Sequence, residues 1–89
     1  MNTWTITLHA QGSPLADERV RETVIASAHA LAERFGIQVV EIAATPASLS
    51  ATLAADEVTA VGFAAELRRS TNAWYRKKHD APLWLEPND

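Results

Sequence analysis

Residues 48–55, Ser-Leu-Ser-Ala-Thr-Leu-Ala-Ala, decide the fold of this 89-residue chain. Apolar and hydroxyl side chains alternate along this stretch, after a break at Thr45-Pro46-Ala47. A period of two predicts a strand that pairs with the segment before the break. Because alanine-rich segments also favour helix, a helix that begins near Ala47 is the competing interpretation. The strand gives the order β-α-β-β-α-β, whereas the helix gives βαβαβ.

Three other segments have the character of strands. Residues 3–10 alternate strictly between large apolar residues and threonine or histidine, as in a sheet with one buried face. Residues 37–44 are β-branched and almost continuously apolar, which indicates a second strand. Residues 83–85 form a short last strand between two prolines, and this places them at a sheet edge.

Two helices are predicted between these strands. The first begins near either Ser13 or Asp17, and it should end before Gly36, which is suited to a left-handed C-terminal cap. The second runs from about residue 56 to residue 78. Gly62 lies inside the second helix, where a missing side chain often permits the close approach of a neighbouring backbone.

The order of these elements predicts one α+β domain over residues 1–89. We expect a ferredoxin-like two-layer sandwich, in which both helices cover one face of an antiparallel sheet. The predicted core contains Ile6, Leu31, Phe35, Phe63 and Leu67.

Composition excludes several classes of chemistry. The chain has no cysteine, so disulfides, zinc–thiolate sites and thiol nucleophiles are excluded. The N-terminus lacks the basic and apolar stretches of a signal peptide, and no apolar run approaches the length of a membrane helix. We therefore expect a cytoplasmic protein with no membrane partner.

No motif for catalysis, metal binding or cofactor binding stands out. The histidines His9, His29 and His79 form no closely spaced pair, and there is no nucleophile elbow or glycine-rich phosphate loop. We accordingly predict no catalytic residue, no metal and no cofactor. A small enzyme with a site on the open sheet face near His9 is retained as a third hypothesis.

The most pronounced charge feature is the segment 68–79. It carries five positive charges and no acid, although the whole chain has a net charge of −3. This pattern indicates a surface for an acidic protein partner or for nucleic acid. The alternative is that these bases only stabilise the end of a helix, with Trp74 packed in the core. The candidate binding residues are Arg68, Arg69, Asn72, Tyr75, Arg76, Lys77 and Lys78.

Two surfaces are candidates for self-association. The open sheet face should present Thr5, Thr7 and His9, and Trp84 on the last strand is expected to be partly exposed. The leading hypothesis is a non-catalytic interaction, regulatory or assembly module that works as a homo-oligomer, for which we expect a homodimer, or inside a larger assembly. Nucleic-acid or polyanion binding through the basic segment 68–79 is the second hypothesis.

Overall fold

A computed structural model describes residues 2–85 and contains two helices and three strands. They are β1 (Trp4–His9), α1 (Glu18–Phe35), β2 (Val39–Thr45), β3 (Ser48–Leu53) and α2 (Glu57–His79). A short 3-10 helix, Pro14–Ala16, precedes α1. The segment that decides the topology is therefore extended up to Leu53, and the competing helix from Ala47 is wrong.

The three strands form one antiparallel sheet in the order β1-β3-β2. The predicted fourth strand is wrong as a regular strand, because Trp84 makes only an isolated antiparallel bridge to Ala10. One physical reason is that the backbone N–H of Leu83 donates to Oδ1 of Asn72, at 2.6 Å. The α+β class is confirmed, whereas the complete four-stranded ferredoxin-like order is not.

The core lies between the sheet and the two helices. Ile6, Leu8 and Leu53 point to the helices and are almost fully buried, while the residues between them on β1 and β3 are more exposed. This alternation leaves the second face of the sheet open. Four of the five predicted core residues are buried: Ile6, Leu31, Phe63 and Leu67.

Phe35 is the exception, and the expectation that it is buried is wrong. Its side chain is 42% exposed, since it is the last residue of α1 and lies at the rim of the core. Its ring still packs edge-on against Phe63, with the ring centroids 5.9 Å apart.

The ends of α1 follow from local chemistry. Asp17 is the N-cap, and its carboxylate accepts hydrogen bonds from the backbone N–H groups of residues 19 and 20, at 2.9 and 3.2 Å. Of the two predicted starts, the one at Asp17 is thus confirmed. Gly36 ends the helix in the left-handed region, with φ of 70°, as its position predicts.

A bulge interrupts β2 near its start. Val39 pairs with Leu53 and Glu41 pairs with Thr52, so Val40 is an extra residue on this strand. Val40 and Glu41 are both exposed as a result. The bulge also breaks the strict alternation, which returns at Ile42.

Gly62 is exposed on α2, and, apart from its chain neighbours and the adjacent backbone of α2, no heavy atom of residues 2–85 lies within 4 Å of the position that a Cβ would occupy. The close approach of a neighbouring backbone that the sequence indicates is therefore not found. Within residues 2–85, neither helix combines the length and the apolar character needed to cross a membrane.

Replacing Gly62 by alanine should stabilise the protein. Glycine in a helix interior costs about 1 kcal/mol relative to alanine, and the new methyl group meets open space. We expect Gly62→Ala to raise the free energy of unfolding by about that amount in urea denaturation. A loss of stability would mean that this face of α2 is covered in solution.

Candidate anion-binding site at the end of the second helix

The last turn of α2 concentrates positive charge at one end of the molecule. Arg76, Lys77, Lys78 and His79 are all exposed there. Asp80 ends the helix in a left-handed conformation, and its N–H donates to the carbonyl of Arg76 at 2.8 Å. Cations at this position are favoured by the helix dipole, which is negative at the C-terminus.

The first half of the predicted basic surface is engaged within the protein. Arg69 donates to the carboxylate of Glu66 and forms an ion pair with it. This hydrogen bond lowers the pKa of Glu66 and raises the pKa of Arg69. Arg68 is half-buried along its length. The Arg69 side chain stays exposed, so this ion pair lies on the surface of α2.

The middle of the segment also has internal partners. Oδ1 of Asn72 accepts a hydrogen bond from the backbone N–H of Leu83. Tyr75 stacks on His79, with the ring centroids 4.3 Å apart and the planes 27° apart. Of the seven predicted residues, four are exposed and three are half-buried; the exposed ones are Arg69, Arg76, Lys77 and Lys78.

A cleft of about 270 Å³ lies beside these residues, between the start of α1 and the end of α2. Trp74 and Val20 give it an apolar side, and Arg19 and Lys78 bring cations from the two helices. Its six lining residues are Asp17, Arg19, Val20, Trp74, Lys78 and His79. No sequence pattern marks Arg19 as part of this site, because only the packing of the helices places it near Lys78.

The charges around the cleft favour an anion. Asp17 is its one carboxylate, and that group is engaged in capping α1. Among the described residues the one ion pair is Arg69–Glu66, so Arg19 and Lys78 have no carboxylate in direct contact within that part of the chain. A ligand with a negative group and a flat ring fits this combination of cations and tryptophan.

The other predicted surface residues lie elsewhere. Thr5 and Thr7 are exposed on the open sheet face, where their hydroxyls bond to Thr52 at 2.8 Å and to Ser50 at 3.1 Å. His9 is exposed on the same face. Within residues 2–85, no three histidine, aspartate or glutamate side chains are grouped as a metal site.

Trp84 differs from its expected exposure. Its side chain is 2% exposed, so the expectation of a partly exposed edge tryptophan is wrong. The indole Nε1 donates to Oγ1 of Thr71 at 2.8 Å, and that hydroxyl donates to the carbonyl of Leu67 at 2.5 Å. Trp84 is therefore a core residue, and its hydrogen bond to Thr71 links the C-terminal segment to α2.

Comparisons with known proteins find a similar fold. No family model and no curated protein matches the sequence. One solved structure with a similar fold is a "putative transposase" from Deinococcus radiodurans, with a TM-score of 0.72 and 15% sequence identity. The match covers 89% of this chain and 62% of the Deinococcus chain, so this chain spans less than two thirds of that protein. At this level of identity, the likeness shows a shared α+β fold.

Proposed function

We propose that this protein is an interaction module that binds single-stranded nucleic acid at the end of α2. The observation that carries the proposal is the cleft in which Arg19 and Lys78, from two different helices, lie beside Trp74. Cationic side chains bind the phosphate backbone, and aromatic side chains stack on unpaired bases. Arg76 and Lys77 extend the positive surface beyond the cleft.

Two features favour nucleic acid over an acidic protein as the partner. Trp74 is half-buried but lines the cleft, and an aromatic ring among cations suits a base better than a carboxylate side chain. The structural neighbour also bears the name of a transposase, a class of protein that acts on DNA.

The net charge of −3 limits the expected affinity. The proposed site offers four exposed cations, Arg19, Arg76, Lys77 and Lys78, so the number of phosphate contacts is small. We expect binding in the range of non-specific complexes, with Kd of about 10⁻⁶ to 10⁻⁴ M at physiological salt.

The test is fluorescence anisotropy of a labelled mixed-sequence DNA strand, titrated with the protein at several salt concentrations. Arg19→Gln and Lys78→Gln should each weaken binding and lower the salt-dependence slope by about 1, because each removes one phosphate contact. Asp17→Asn should strengthen binding, since it removes a negative charge from the cleft while asparagine still caps α1.

The matched control is Arg69→Gln. Like Arg19→Gln it replaces one arginine by glutamine, but at a residue of α2 that is paired with Glu66 and lies outside the cleft. It should change the affinity much less than Arg19→Gln does. Equal effects of the two variants would contradict a site in the cleft. Binding of polyglutamate with the affinity of the DNA strand would instead identify an acidic protein as the partner.

A further inference from the structure

His79 brings a titratable ring to the cleft between the start of α1 and the end of α2. It is the last residue of α2, it is exposed, and it lines the cleft beside Lys78. Its imidazole stacks on the ring of Tyr75, with the ring centroids 4.3 Å apart. Stacking covers a face of the imidazole and not the edge that carries its nitrogens, so those nitrogens can bind a ligand in the cleft.

The ionisable groups around His79 come from both helices and from the residue after α2. They are Asp17, Arg19, Tyr75, Arg76, Lys77, Lys78 and Asp80. The carboxylate of Asp17 is engaged in capping α1. Among residues 2–85 no ion pair includes His79, since the one ion pair joins Arg69 to Glu66. A proton on the imidazole therefore adds a positive charge to the cleft instead of completing an ion pair within the described chain.

Histidine is the side chain that ordinarily changes its charge between pH 5 and 8. We propose that protonation of His79 adds a phosphate contact to the cleft, so that single-stranded nucleic acid binds more tightly as the pH falls. This inference rests on the function proposed above. The neutral imidazole has one N–H, whereas the imidazolium donates from both nitrogens and carries a positive charge. Its hydrogen bond to a phosphate oxygen is then charge-assisted, which makes it stronger.

The direction of the effect follows from the charges of the cleft and of the strand. Arginine, lysine and carboxylate side chains ordinarily keep their charges across this pH interval, and so do the phosphodiesters of the strand. Of the residues that line the cleft, His79 is thus the one that changes its charge there. One added contact should tighten binding by about two- to fivefold, the strength of an exposed ion pair. It should also steepen the salt dependence by about 0.7–1.

The test is fluorescence anisotropy of a rhodamine-labelled oligothymidine strand, titrated with the protein at about pH 5.5 and pH 8 and at several salt concentrations. The strand has hydroxyl ends, because a terminal phosphate would itself titrate in this range. The parent protein should bind about two- to fivefold more tightly at the lower pH. In His79→Gln the ratio of the two Kd values should fall to about 1, because glutamine does not titrate.

Two further variants separate the charge of His79 from its place in the structure. His79→Lys carries a permanent charge, so it should bind more tightly than His79→Gln at both pH values and show no pH dependence. The matched control is His29→Gln, which removes an exposed histidine of α1 that does not line the cleft. It should keep the pH dependence of the parent protein. Calorimetry in two buffers of different ionisation enthalpy should detect proton uptake when the parent protein binds the strand, and none for His79→Gln.

Three results would overturn this inference and leave the proposed binding of nucleic acid intact. The first is the same Kd for the parent protein at both pH values. The second is a pH dependence that persists in His79→Gln. The third is its loss in His29→Gln as well, which would assign the effect to the total charge of the protein and not to the cleft. A strand that binds at neither pH would instead overturn the proposed function, and this inference with it.

Discussion

Phe63→Ala should lower the free energy of unfolding by about 3–5 kcal/mol, a large part of the stability of a domain of this size. Phe63 lies on α2; its side chain has no exposed surface, belongs to the core and packs edge-on against Phe35 of α1. Truncation removes its apolar contacts and leaves a cavity that a close-packed core closes only in part. Guanidinium unfolding, followed by circular dichroism, measures the loss.

The matched control is Phe35→Ala, which removes the same ring from the other member of the aromatic pair. Because Phe35 is 42% exposed, we expect a loss of about 1–2 kcal/mol from its remaining burial and the edge-on contact. Equal losses for the two variants would show that the helix faces differ from those described.

Trp84→Ala should have a comparably large effect, about 3–5 kcal/mol. The indole is buried and hydrogen-bonded to Thr71, so its loss leaves a cavity and releases the C-terminal segment from α2. The backbone bonds that this segment makes to β1, from Gln11 to Leu83 and from Leu85 to His9, should weaken at the same time. Faster amide exchange at Gln11 and Leu85 would report that release.

Trp84→Phe separates packing from hydrogen bonding. It keeps most of the apolar surface and removes only the donor to Thr71, so we expect a loss of about 0.5–1.5 kcal/mol. An alanine variant as stable as the parent protein would contradict a core role for Trp84. Such a result would indicate that the Trp84 side chain is exposed, as the sequence predicts, and could take part in an interface.

The order of the first three strands and the two helices could be predicted, because each of these elements depends on contacts close in sequence. The period of two at residues 48–53 requires a strand with one buried face, and the structure confirms it. Asp17 and Gly36 mark the ends of α1 through a side-chain cap and a positive φ, both of which are local properties.

The errors concern residues whose surroundings come from distant parts of the chain. Phe35 belongs to the apolar stripe of α1, but its exposure depends on where the helix leaves the sheet. Trp84 is flanked by prolines, as an edge strand would be, yet Thr71 and Asn72 on α2 bind its segment. The bulge at Val40 depends on the pairing of β2 with β3.

The sequence predicts only the part of the candidate site that lies on α2. The run Arg76-Lys77-Lys78 identifies a basic helix end, and its exposure in the structure agrees with that pattern. Arg19 is nearly sixty residues away along the chain and carries no distinguishing motif. Its place beside Lys78 results from the packing of α1 against α2.

By itself, the sequence determined the three strands of the sheet, the two helices and the glycine cap of α1, because hydrophobic period and capping chemistry act over a few residues. The tertiary structure decided which cations lie together at the cleft and which tryptophan is buried. These properties depend on long-range packing, in which Lys78 comes to line one cleft with Arg19 and Thr71 engages Trp84. Residue type and spacing do not specify such partners, since each one is chosen only when the whole chain packs around a single core.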